Sequence, residues 1–143
     1  MWTLRWCTYV MLVISAALHA GMAKDGLRSR SFKGVSGIQE IECSGSEVDG
    51  DFATGLLSTI LYTVDGGKVV ASANFATKTC LTTDTFASCV IDESDWRRTG
   101  VRALVLDLKE QESREYGCNV TAFSSVGKPV TFSWIIPVTR PRE

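Results

Sequence analysis

Gln111-Glu112-Ser113-Arg114-Glu115-Tyr116-Gly117-Cys118-Asn119-Val120-Thr121 is the stretch on which the reading of this chain turns. Tyr116, Cys118, Val120 and the following Ala122 alternate with Gly117, Asn119 and Thr121. That period of two sets alternate residues of a strand on opposite faces. A cysteine on the apolar face, with a tyrosine two residues before it and an acidic turn upstream, is placed to be cross-linked into a core. Such a role requires a second strand cysteine far upstream and an oxidising compartment.

The compartment is indicated at the start of the chain. Arg5 supplies one positive charge, and Tyr9 to Leu18 is a ten-residue apolar run. A membrane-spanning helix needs about 20 such residues, so the run has the length of a signal-peptide core instead. Gly21 and Ala23 place small residues at −3 and −1, which predicts cleavage after Ala23, with Ala20 as the alternative. Removal of residues 1–23 takes with it all three Met, the only His (His19), Cys7, Trp2 and Trp6. The 120 residues left are one domain's worth. With Arg5 gone, 14 Lys and Arg stand against 16 Asp and Glu, a net charge near −2. That balance carries no electrostatic footprint for nucleic acid. No second apolar run is long enough to span a membrane.

Cys43, Cys80, Cys89 and Cys118 remain, and four cysteines in an exported chain allow three disulfide connectivities. A zinc site is disfavoured, because there is no Cys-x-x-Cys pair and no histidine survives cleavage.

Around these cysteines the chain alternates strand-like runs with turn signals. Residues 24–31 are polar and locally basic and are expected to form a flexible terminus, followed by an edge strand at 32–37. Ile38 to Ser44 predicts a strand ending at Cys43, and Gly45 to Gly55 a long polar loop. Leu56–Val64 and Lys68–Asn74 flank Asp65-Gly66-Gly67, a hairpin signal. Residues 75–99 read as a polar, Thr-rich segment, and Val101 to Leu108 as a strand. In the last strand Val130, Phe132, Trp134 and Ile136 alternate with polar residues, bracketed by Pro129 and Pro137. Roughly eight strands in about 110 residues predict an all-β sandwich.

Cys43, Tyr62, the Val101–Leu108 strand, Tyr116-Gly117-Cys118 and the terminal aromatic strand together resemble the immunoglobulin superfamily, over residues 32–139. The resemblance implies an immunoglobulin-like Greek-key β-sandwich of variable-like or intermediate subtype, with residues 140–143 as a tail or linker start. It implies an inter-sheet bridge between Cys43 and Cys118, leaving Cys80 and Cys89 to close a short loop. Tyr116 is expected to close a corner with its hydroxyl. Counting back four residues from Gly66, where the family carries a core tryptophan, gives Tyr62, with Ile60 and Val64 also facing inward. Tyr62, Tyr116 and Trp134 are thus the expected core signature. Glu112 stands where the family has an aspartate, with Arg97 or Arg98 as its expected partner. The extra cysteine loop is similar to that of secreted invertebrate immunoglobulin-like proteins, including amino-terminal domains of mollusc defence lectins.

The inventory argues against catalysis. Without histidine, Ser–His, Cys–His and His-metal arrangements are unavailable. Acidic pairs such as Glu110 with Glu112, or Asp92 with Glu93, fall in turns. No cofactor is implied. Asn119-Val120-Thr121 is the only sequon, and alternation directs Asn119 outward if Cys118 points inward. A glycan there is expected to cover the sheet face and to leave edges or loop ends for association. Phe52, Trp96 and Phe123, near the loops, are candidate partner contacts. The expected function is a secreted recognition or adhesion module binding an extracellular protein or glycan, in innate recognition or cell-surface signalling. One alternative is the N-terminal domain or a fragment of a longer receptor or defence lectin. The other is a stapled inhibitor or effector acting through the Cys80–Cys89 loop.

Overall fold

The computed structural model describes residues 30–31 and 37–140. The expected signal segment at 1–23, residues 24–29, the 32–36 part of the expected edge strand and residues 141–143 of the expected tail lie outside the described residues. Among the described residues, nine strands follow in order: β1 (Arg30–Ser31), β2 (Gln39–Ser44), β3 (Ala53–Thr63), β4 (Val69–Asn74), β5 (Thr79–Thr82), β6 (Ala87–Val90), β7 (Gly100–Val105), β8 (Ser113–Ser124) and β9 (Pro129–Thr139). Two 3-10 turns, Gly45–Glu47 and Trp96–Arg98, interrupt the loops.

One sheet has the order β1-β2-β7-β6 and the other β5-β4-β3-β8-β9, every neighbouring pair antiparallel. The chain changes sheets between β2 and β3, between β5 and β6, and between β7 and β8. Pairing of β3 with β8, and of β2 with β7, across long connections makes this an immunoglobulin-like Greek-key sandwich. Its core comes from period-two alternation in both sheets. Ile41, Cys43, Val101, Ala103 and Val105 face Leu56, Leu61, Cys118, Val120, Ala122, Phe132 and Ile136, all buried. Cys43 and Cys118 are bridged across the two sheets with Cα atoms 5.7 Å apart, and neither is exposed.

Three expectations are corrected by this arrangement. Cys118 stands opposite Leu61, which is fully buried, while Tyr62 stands opposite Gly117 on the outward face. Tyr62 therefore is not a core residue, and Ile60, opposite Asn119, also faces out. Val64 is 39% exposed beyond the strand. The count back from Gly66 fails by one residue. The β3–β4 connection spans 64–68, with positive φ at both Gly66 and Gly67, and the ladder slips between Leu61 and Tyr62. A one-residue slip exchanges the faces of a strand. Tyr116 and Trp134, by contrast, pack half-buried against the core.

The second correction concerns residues 75–99, where two strands stand in the segment expected only to be polar and to hold the short Cys80–Cys89 loop at an edge of the sandwich. β5 extends the sheet beyond β4, and β6 lies at the edge of the other sheet beside β7. The Cys80–Cys89 disulfide, with Cα atoms 6.0 Å apart, therefore joins the two sheets at their outer edge.

Thirdly, Pro137 does not end the last strand but lies within β9, opposite Glu115. β9 is an edge strand, so a missing N–H on its open side breaks no ladder. Arg30–Ser31 pairs with Gln39 and Glu40 as a short edge strand, inside the segment expected to be flexible.

Candidate functional site

The sandwich gathers at one end the β2–β3 loop, the β4–β5 turn, the β6–β7 connection and the β8–β9 turn. The β6–β7 connection is the most organised of these. Asp92 Oδ1 accepts hydrogen bonds from the Ser94 N–H (2.9 Å), the Ser94 hydroxyl (2.6 Å) and the Asp95 N–H (3.1 Å). These bonds, the hydroxyl's foremost, hold the Asp92 carboxyl below the usual carboxylate range. Asp95 then caps the next turn, its Oδ1 accepting from the Arg97 N–H at 3.1 Å. The buried Thr99 closes the segment, its Oγ1 accepting from the Asp92 N–H at 3.0 Å.

This scaffold fixes Trp96 and Arg97 against the β2–β3 loop, which makes room for them with glycines. A Cβ at Gly45 would stand 2.8 Å from the Trp96 carbonyl oxygen, and one at Gly50 2.6 Å from the Arg97 guanidinium. Arg97 lies over the indole of Trp96, 4.6 Å from the ring centroid. The guanidinium is thus held between an aromatic face and a bare stretch of backbone. Here opens a depression of about 440 Å³ whose charged lining is Glu42, Asp92, Arg97, Arg98 and Arg102. Arg98 faces Asp92 at 3.8 Å, and Arg102 lies 3.9 Å from Glu40 and 3.6 Å from Glu42.

Of the three aromatic residues singled out from sequence, Trp96 borders this site. Phe52 turns inward and meets Phe132 edge-on at 5.6 Å between centroids, so it plugs the end of the core. Phe123 lies half-buried on the outward face, near Gly55. Sequence reading named Arg97 only as a partner for Glu112, not as part of this site, and passed over Gly50. The adjacent Trp-Arg pair was a signal for the first, and only the fold could reveal the second.

Asn119 lies half-buried on the outward face of the five-stranded sheet, between Ile60 and Ser133 on its neighbours. At the β7–β8 corner the expected ion pair is also corrected. Glu112 is paired with neither Arg97 nor Arg98. Its Oε2 accepts from the Lys109 N–H (2.9 Å), and its Oε1 from Arg114 Nε (2.8 Å). The Lys109 bond chiefly, then Arg114, lowers the Glu112 carboxyl below its ordinary value, and Glu112 in turn raises Arg114. Arg114 also donates to the Leu106 carbonyl at 3.4 Å, so the pair pins this corner locally.

Among the described residues, no group of three or more His, Cys, Asp or Glu could hold a metal ion, and no helix is long and apolar enough to cross a membrane. No protein-family model matches the chain, and no curated protein does. Among solved structures it is similar to one described as murine CRIg, at 14% identity and a TM-score of 0.47, over 82% of this chain and 98% of that one.

Proposed function

We propose that this chain is a secreted, N-glycosylated, non-catalytic recognition module that binds an extracellular protein or glycan through its loop end. A role in adhesion, cell-surface signalling or innate recognition follows from that reading. The strand complement, with β4 and β5 added beyond β3, supports a variable-like subtype. The observation that carries the proposal is Arg97, ordered between Trp96 and Gly50 and lining an open depression. An arginine already immobilised in the free protein loses little entropy on binding, and arginine with tryptophan is the pairing enriched in binding hot spots. The cation favours an acidic partner, a carboxylate-rich protein surface or an anionic glycan.

The test is capture from extracellular fluid on the immobilised secreted domain, with Arg97→Ala beside the wild type. The substitution is expected to weaken retention of the captured partner at least tenfold, with Arg97→Lys intermediate. Equal retention by wild type and Arg97→Ala overturns the loop-end assignment.

A second reading is favoured by one observation. Between Cys80 and Cys89 the stapled edge presents Leu81 and Phe86, 58% and 52% exposed. In that reading the edge segment, as an inhibitor or effector loop, meets the partner instead.

A further inference from the structure

The outward face of the five-stranded sheet carries a continuous row: Leu81, Ser72, Ile60, Asn119 and Ser133, one residue from each strand. The adjoining row holds Tyr62, Gly117 and Ile135. Gly117 has no side chain to fill its place, and Tyr62 fills it instead: a Cβ at 117 would overlap the Tyr62 ring. The ring therefore lies across β8 beside Asn119, which is two residues further along the same face, about 7 Å away by strand geometry. On the far side of Gly117 stands Ile135, 53% exposed. Tyr62 and Ile135 form an apolar shelf next to the sequon asparagine. Asn119 itself is half-buried, and its Oδ1 is buried without a hydrogen bond.

We infer that the first N-acetylglucosamine of an Asn119 glycan is seated on the Tyr62–Ile135 shelf, and that this sugar is the cover of the sheet face. The inference rests on the reading of the chain as a secreted, glycosylated module. A pyranose presents an apolar face of C–H groups, and its N-acetyl group ends in a methyl. Both suit an aromatic ring beside an isoleucine, through area burial and C–H contacts to the ring. The tether matters as much as the chemistry. A sugar already joined to Asn119 meets the shelf at high effective concentration, so even a weak contact is occupied. A second copy of the chain would have to displace it.

The experiment uses the full chain secreted from cells that attach high-mannose glycans, with Asn119→Gln as the unglycosylated control. Intact mass reads the underlying premise: a glycan mass on the wild type and none on the control. Absence of that mass defeats the secreted-glycoprotein reading itself. Where the mass is present, trimming to a single N-acetylglucosamine isolates the first sugar. The trimmed protein is expected to melt about 3 °C above Asn119→Gln. In Tyr62→Ser and Ile135→Ser backgrounds that gain is expected to shrink to below about 1 °C. An NMR cross-peak between the N-acetyl methyl and the Tyr62 ring provides a readout in the wild type, whether or not either variant folds. A glycan whose melting gain is the same in all backgrounds, or a trimmed protein lacking that cross-peak, overturns the seating while leaving glycosylation intact.

Discussion

Gly117 is the residue at which the two faces of β8 make opposite demands. Toward the core its neighbours Tyr116 and Cys118 pack inward, while its own outward site is taken by the Tyr62 ring. Gly117→Ala is therefore expected to destabilise the domain by about 1–3 kcal/mol, through forced displacement of that ring. Adding Tyr62→Ala should restore most of the loss, as read by thermal or denaturant melts of the single and double variants. The neighbouring pair on β3 separates the faces further. Leu61 is fully buried opposite Cys118, so Leu61→Ala is expected to cost about 2–5 kcal/mol. Tyr62→Ala, on the outward face, should cost clearly less. A larger loss at Tyr62 than at Leu61 would return Tyr62 to the core. Glu112 carries a pH signature of its own. Its carboxyl is lowered in the folded state by the Lys109 N–H and Arg114, so its contribution to stability is fully present above its unfolded value, about 4.3. The contribution disappears as the pH falls through the lower folded value. The wild type should lose melting temperature more steeply below about pH 4.3 than Glu112→Gln does, and parallel pH–melting curves would contradict this.

At the scale of elements, the disulfides do unequal work. Cys43–Cys118 closes a separation of 75 residues and Cys80–Cys89 one of nine. Loop-closure entropy alone assigns about 4.5 kcal/mol to the first and about 2.7 kcal/mol to the second. The paired Cys80→Ala, Cys89→Ala variant should therefore fold and melt at a lower temperature, with faster amide exchange confined to β5 and β6. Uniform acceleration across both sheets would show that the edge clamp holds the whole sandwich. The same two strands explain where sequence reading stopped. β2, β3, β7, β8 and β9 each bury one face, and burial writes a period of two into the sequence. Every residue of β5 is exposed. It is held by its backbone ladder to β4 and by the disulfide, neither of which leaves a hydrophobic pattern. β6 is short and half-exposed for the same reason. Pro137 misled because its effect depends on edge position, and edge position is a property of the sheet. The Leu61–Tyr62 exchange arose from one residue of turn length, which the Asp65-Gly66-Gly67 signal locates without measuring.

At the scale of the molecule, the surfaces available for recognition are unequal, and that inequality separates the two readings of function. The outward face of the five-stranded sheet carries Asn119 in its midst. The loop end offers the arginine-bearing depression, built on a connection whose hydrogen bonds order it before any partner arrives. The stapled edge offers Leu81 and Phe86, exposed apolar groups, without a cation held on an aromatic face beside them as Arg97 is; its nearby charge is Asp84, whose Oδ1 accepts from the Phe86 N–H at 2.9 Å. An acidic partner at the loop end should be captured with strong salt dependence, since Arg97 lies at the surface and its attraction is screened. An apolar partner at the edge should be retained at high salt. Retention of the captured partner should therefore be measured at low and high ionic strength for wild type, Arg97→Ala, and the paired Leu81→Ser, Phe86→Ser variant. Loss with Arg97→Ala together with loss in high salt places the contact at the loop end. Salt-insensitive retention abolished only by the paired edge substitution places it at the Cys80–Cys89 segment. Both sets change exposed side chains, so their melting temperatures should stay close to that of the wild type, which keeps a binding loss from being a folding loss.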